Sequence, residues 1–325
     1  MLVGINRLGS AYCRLRLVRA VSRWGANVLC MRNDLNPTLL ARCLILPLLL
    51  LMSPWALGQD LPPATFVPPA PVRFLLTFDD GPSGVMDHNP TASILDQLAD
   101  NPIQSHIKAI FFVQTRFWKN GGSEIGQRLL RRVHDEGHLL AVHSGTARGH
   151  INHTLMPPQE LEQSLHDGSD DIRAITGEAP RFVRPPFWAF TNATLDSYAR
   201  NHLHMLMYDI RVNDGKSGGI NFVWRLRLRV AAEMRRMRER IAQGVVPVVG
   251  DTIPLIVVFH DTNQHTAENL QVFMRLLLEE AGKQGLAVAP KPFFDDATEV
   301  RETAMARSPD FLKWANVSGL GRRYP

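Results

Sequence analysis

The feature that most constrains this chain is a recurrence: short continuous apolar runs, each stopped by polar residues, alternate with amphipathic stretches. Residues 72–78 (VRFLLTF) run into Asp79-Asp80-Gly81-Pro82, and 109–113 (AIFFV) form a second run. Residues 138–142 lead to His143, 204–208 to Asp209, and 255–259 (LIVVF) to His260-Asp261. Runs of this length read as strands buried on both faces. Between them, 91–98, 124–136, 158–175, 193–201, 223–242 and 267–284 carry helical spacing, and Gly137 stands where a left-handed helix cap is expected. Residues 182–183 and 286–288 read as further strands. Repeated βα units predict an α/β fold with a parallel sheet, most simply closed as a single barrel, whose functional side chains gather at the C-terminal strand ends.

The N-terminal part reads differently. A basic stretch precedes the apolar run 43–52 (CLILPLLLLM), and small Ala56 and Gly58 follow, the layout of a signal peptide cut after Gly58. The apolar run is short for a membrane span and is interrupted by Pro47, so an uncleaved anchor is the lesser reading, and membrane contact is expected only through that leader. Met31-Arg32 ahead of the same run would make an ordinary signal peptide by itself, which points to Met31 as the true start. Five prolines between 61 and 71 read as an extended linker. The expected order is leader 1–58, linker 59–71, domain 72–297 and tail 298–325. All three cysteines fall in the leader, so the mature chain has neither disulfides nor thiolate ligands. Removing the leader's seven arginines and one aspartate from the chain's 36 basic and 31 acidic residues leaves 29 and 30. The body is then close to neutral, which argues against nucleic acid as a partner. The chain is expected to be exported, to the periplasm or beyond, and the sequence carries no signal for an oligomer.

A charge that follows a buried strand is costly unless it is paired, so four polar strand ends meeting at one end of a barrel form a constellation. Taken alone, Asp79-Asp80-Gly81-Pro82 is equally a turn, and His143, His150 or His153 an ordinary buried or loop histidine. Together, Asp80 and two histidines make a set suited to Zn²⁺ with positions left for water and substrate.

With these residues in place, the sequence resembles the polysaccharide deacetylase family with the NodB-homology domain, from about residue 72 to about 290. Thr77-Phe78-Asp79-Asp80-Gly81-Pro82 resembles its first motif, which implies Asp79 as catalytic base and Asp80 as metal ligand. Gly137-His138 leading to His143-Ser144 resembles the second and implies His143 as a ligand. The next ligand histidine normally lies four residues on, where this chain has Ala147. His150 is placed in that slot, with His153 in reserve. Arg184-Pro185-Pro186-Phe187 resembles the third motif, implying that Arg184 holds the base and that the Phe187 backbone N–H faces the oxyanion. Asp209 and the segment 256–261 resemble the fourth and fifth motifs, implying His260 as a general acid tuned by Asp209. The fourth motif departs from the family pattern, with Val212, Asn213 and Asp214 in place of its second aspartate and tryptophan.

The resemblance implies a single distorted (β/α) barrel of parallel strands and a divalent-metal hydrolase, Zn²⁺ being expected, that removes N-acetyl groups from an acetylated polysaccharide. Competing readings are an O-acetyl esterase or small cyclic-amide hydrolase on the same fold, a glycan-binding relic, and Fe²⁺ oxygen chemistry at the same ligands. The retained acid and base count against the relic. Arginines in 223–242 read as a solvated helix face or, if functional, a surface for an anionic glycan or membrane. Trp188, Phe190 and Trp224 are core residues or sugar-stacking platforms.

Overall fold

The computed structural model describes residues 67–214 and 222–318, with side chains for 67–214 and 224–308. The proposed leader, its cleavage point and the Met31 start lie outside the described residues, as does the linker up to residue 66. The chain divides into units 1–63 and 64–325, and all the described residues belong to the second.

The seven runs read as strands form strands, and Ile210–Arg211 adds another: β1 (Val72–Asp79), β2 (Ile110–Gln114), β3 (Leu139–Ser144), β4 (Phe182–Val183), β5 (His204–Met205), β6 (Ile210–Arg211), β7 (Ile253–His260) and β8 (Val288–Phe293). Every pairing among them is parallel, in the order β5-β4-β3-β2-β1-β7-β6, with β8 against the start of β1. The sheet curls into a distorted (β/α) barrel, as expected. Helices α1 (Pro90–Ala99), α2 (Glu124–Asp135), α3 (Pro158–Thr176), α4 (Asn192–Arg200), α5 (Phe222–Ala242), α6 (Gln264–Lys283) and α7 (Ala297–Ser318) complete it. Ser123 caps α2 by accepting from the Gly126 N–H, and Gly137, at φ 77°, takes the left-handed position after it. Among the described residues no helix is long and apolar enough to cross a membrane.

Strand periodicity sorts the core into two layers. Phe74, Leu76 and Phe78 of β1 point outward to the helices, where the larger apolar cluster lies. Leu75, Thr77 and Asp79 alternate with them and point inward. The inner layer is thinner: Leu75, Ile110, Phe112, Ala141, Phe182, Leu206 and Ile256, joined from below by Phe294, Val300 and Ala304. Val300 and Ala304 belong to the segment 298–325, expected from the sequence to be a tail. The described part of that segment is α7, and Val300, Ala304 and Arg307, at spacings of four and three, place it against the sheet interior at the N-terminal end of the strands.

Candidate active site

The same period of two that hides Leu75 carries Asp79 to the inner face at the end of β1. The β1–β7 register sets Asp79 directly beside His260, and Thr77 beside Val258. Base and acid candidates therefore stand on adjacent strands. Arg184, fully buried, rises from the end of β4 and spans the interior. Its Nη1 donates to Asp79 Oδ1 at 2.8 Å and to Thr77 Oγ1 at 2.7 Å, and its Nε and Nη2 donate to the Leu206 and Met207 carbonyls. The other Asp79 oxygen accepts from Trp188 Nε1 at 3.3 Å. Both oxygens of this buried carboxylate are thus fixed by donors from one loop.

Asp80 leaves the strand with φ 77° and turns its carboxylate toward β3. Its Oδ1 lies 3.2 Å from His143 Nε2 and 3.3 Å from His150 Nε2, the one such group among the described residues. Burial would raise the Asp80 pKa, but the neighbouring His143, then His150 and His260, hold it well below the usual carboxylate range. His143 Nδ1 donates to the Arg184 carbonyl at 2.7 Å, which leaves Nε2 as the lone-pair nitrogen, buried and without a hydrogen-bond partner. The His150 ring stacks on His143 at 5.1 Å and packs against Phe187 at 4.3 Å. Burial, then the neighbouring His143, push its pKa down to about 4, so the ring is neutral at pH 7. Two imidazole nitrogens and a carboxylate oxygen converging on one point fit a divalent cation such as Zn²⁺.

The loop holding the ligands is built from local bonds. Gln114 Nε2 and Asn120 Nδ2 donate to the Asp80 carbonyl at 2.9 and 2.7 Å. Beneath it lies Asp261, fully buried and pushed up to about 7 by that burial, accepting from Thr91 Oγ1 at 2.9 Å. A Cβ at Gly81 would collide with the Asp261 carboxylate, so this turn accepts only glycine there. Reserve ligand His153 faces elsewhere: it is buried, and its Nδ1 pairs with Tyr198 Oη at 2.8 Å.

The pairing assigned to Asp209 is corrected. Its Oδ2 accepts from the Ile256 N–H, and Asp209 N–H donates to the Ile256 carbonyl, four residues short of His260 on β7. At about 3.3 Å per residue, that separation is roughly 13 Å. Asp209 is instead gripped by Arg307 of α7 at 2.8 and 2.9 Å and Arg240 of α5 at 3.1 Å, while Arg236 donates to its carbonyl. Against the penalty of burial, the charges of Arg307 and Arg240 hold its pKa below the ordinary value.

The partner of His260 is Asp214. Its Oδ1 accepts from His260 Nδ1 at 2.9 Å, and its Oδ2 from the His260 N–H at 2.6 Å and Thr266 Oγ1 at 2.7 Å. Burial pulls the His260 pKa down, but Asp214, then Asp79 and Asp80, outweigh it and raise it to about 9. The signal was an aspartate five residues past Asp209, at a spacing the fourth motif does not use.

Phe187 and Trp188 form a turn with φ 60° and 56° over the site. Trp188 meets His260 edge-on at 6.1 Å, whereas Phe190 packs on the core and Trp224 is exposed. Several α5 arginines are paired, Arg227 with Glu279 and Glu280 and Arg240 with Asp209, so the helix is not a uniform basic face.

Comparison with known proteins supplies the context. A peptidoglycan-N-acetylglucosamine deacetylase of Bacillus cereus is 26% identical over 43% of this chain and 46% of its own length. A chitin deacetylase of Colletotrichum lindemuthianum is 31% identical over 34% of this chain and 40% of its own. The chain thus spans less than half the length of these curated relatives. The solved structure of the chitin deacetylase from Colletotrichum lindemuthianum superposes with a TM-score of 0.50 and 20% identity, covering 70% of this chain and 92% of that one, a likeness of fold. Residues 68–206 match the family model for polysaccharide deacetylase. Through that segment the chain is similar to the polysaccharide deacetylase family.

Proposed function

We propose that this chain hydrolyses N-acetyl groups of a polysaccharide, with a divalent cation held by Asp80, His143 and His150. The observation that carries the reading is the side-by-side register of Asp79 and His260, with the Asp80, His143 and His150 ligand atoms converging beside them. A base and an acid flanking one point are what amide hydrolysis needs: a proton leaves water at one side and reaches the departing nitrogen at the other. Asp79, oriented by Arg184 and Trp188, accepts the proton of the attacking water. The backbone N–H of Phe187 faces the oxyanion as carbon turns tetrahedral, a contact of the kind typically worth about 3–4 kcal/mol of barrier. His260, kept protonated at neutral pH by Asp214, gives its proton to the leaving nitrogen. Water and acetamide become acetate and a free amine. A cation bound at the three ligands, Zn²⁺ in our reading, would supply Lewis acidity to the acetyl carbonyl and to water.

Export to the periplasm or medium completes the reading and rests on the basic stretch and apolar run of the leader. The decisive experiment presents the purified chain with a panel of N-acetylated glycans and measures acetate. Release that stops on chelation and returns with Zn²⁺ is expected. A metal-loaded chain that frees acetate from no glycan would overturn the proposal.

A further inference from the structure

One charged side chain on the inner face has no role in the proposed hydrolysis. Arg211 of β6 lies beside Val258 of β7, two residues before His260 and on the same face. Its guanidinium carbon sits 4.2 Å from the centroid of the Trp188 ring, the ring whose N–H holds Asp79 and whose edge faces His260. The other interior arginines each have an acid: Arg184 has Asp79, and Arg240 and Arg307 share Asp209. Among the described residues no carboxylate lies within ion-pair distance of Arg211. Its Nε is buried without a hydrogen-bond partner, while the residue as a whole is half-buried and reaches solvent.

A guanidinium in this state is half of an ion pair. The Trp188 face supports the guanidinium carbon from one side, and a planar guanidinium fork is the arrangement that takes a carboxylate with two parallel N–H donors. Trp188 is itself held at positive φ, a conformation non-glycine residues keep only where their surroundings over-determine it. The structure thus sets a cation on one wall of the site, one ring away from both Asp79 and His260.

We propose that Arg211 is the counter-ion for a carboxylate carried by the substrate near the acetyl group that is removed, so that the substrate class is an acidic N-acetylated glycan. This rests on the deacetylase reading for its location and on Arg211 alone for its chemistry. The carboxylate can sit on the sugar ring, as in a uronic acid, or on an ether-linked side chain.

Binding of N-acetylated oligosaccharides to the full chain freed of metal tests this by calorimetry. Each ligand is offered as the free acid and as its methyl ester, in a ring-carboxylate and an ether-carboxylate series. The acid of at least one series is expected to bind at least about tenfold more tightly than its ester. That ratio falls with salt, collapses to within about twofold in Arg211→Gln and survives in part in Arg211→Lys, which keeps the charge but not the fork. Acid and ester binding alike, or no binding of either, overturns the proposal in the native chain without any variant, and so does an unchanged ratio in a folded Arg211→Gln. Because the ratio is read without turnover, a failure of the deacetylase reading would appear separately, as absent acetate release.

Discussion

Asp79 and Asp209 occupy the same barrel and share burial, at 1% and 2% exposure, and each is paired with arginine, yet the two are put to opposite use. Asp209, low on the strands, has both oxygens taken by Arg307, Arg240 and the Ile256 N–H, and all its partners are structural. Asp79, at the upper end, is held by one arginine and one indole N–H and stands beside His260 and the Asp80, His143 and His150 group. Burial and pairing with arginine therefore do not distinguish a working carboxylate from a structural one. What distinguishes them is the end of the strand each occupies and whether the neighbouring groups are saturated.

The largest expected effects break the two apart. Asp79→Asn is expected to lower kcat/KM for acetate release by about 10²–10⁴-fold with little change in the urea midpoint. Asp209→Asn leaves Arg307 and Arg240 short of a buried counter-charge and is expected to cost about 3–5 kcal/mol of stability, while the activity per folded molecule stays within a few-fold. Parallel urea unfolding and initial rates decide it, and equal stability losses in the two variants would erase the distinction.

Next come the histidines. His150→Ala is expected to weaken Zn²⁺ binding by more than about 100-fold in competition with a chelator, beyond what loss of an outer hydrogen-bond partner causes. His153→Ala should change it less, since His153 is turned to Tyr198, and should lower stability instead. A smaller effect is expected at Asp214. His260 must be protonated to act as an acid, and protonation persists below its pKa, so the alkaline limb of kcat/KM belongs near pH 9. In Asp214→Asn burial is no longer outweighed by that charge, and the limb should move to lower pH by more than about one unit. A limb that stays in place would remove His260 from the acid's role. The smallest is Arg307→Lys, which keeps the charge but loses the two bonds to Asp209, for about 1–3 kcal/mol in the same urea titration and no shift of the pH profile.

The contrast between the two aspartates also explains what could be seen in the chain before its fold. Asp79, Asp80, His143 and His260 were legible because each ends an apolar run, and a buried parallel strand announces both itself and its C-terminal end. The pairing of His260 was not. Strand β6 is two residues long, too short for any period, so nothing in the sequence tells that Asp209 stands low beside Ile256 while Asp214 reaches the top. The segment after 297 was hidden for a related reason. Among the described residues, the face α7 buries is made of Val300, Thr303, Ala304, Arg307 and Ser308, with a single aliphatic larger than alanine, so up to residue 308 its helical spacing carries almost no hydropathy signal. His150 was legible only by alignment with a motif, because a loop has no period. That alignment placed it ahead of His153, and in the structure His150 meets Asp80 while His153 meets Tyr198.

The most direct measurement is a zinc titration of the chelated chain, with acetate release from an N-acetylated glycan followed at each addition, run side by side on the native protein and Asp79→Asn. The account predicts that the native rate rises to a plateau at one equivalent, and that Asp79→Asn binds the same equivalent and releases almost nothing. Full release before any zinc is added, or an Asp79→Asn rate equal to the native one, would contradict it.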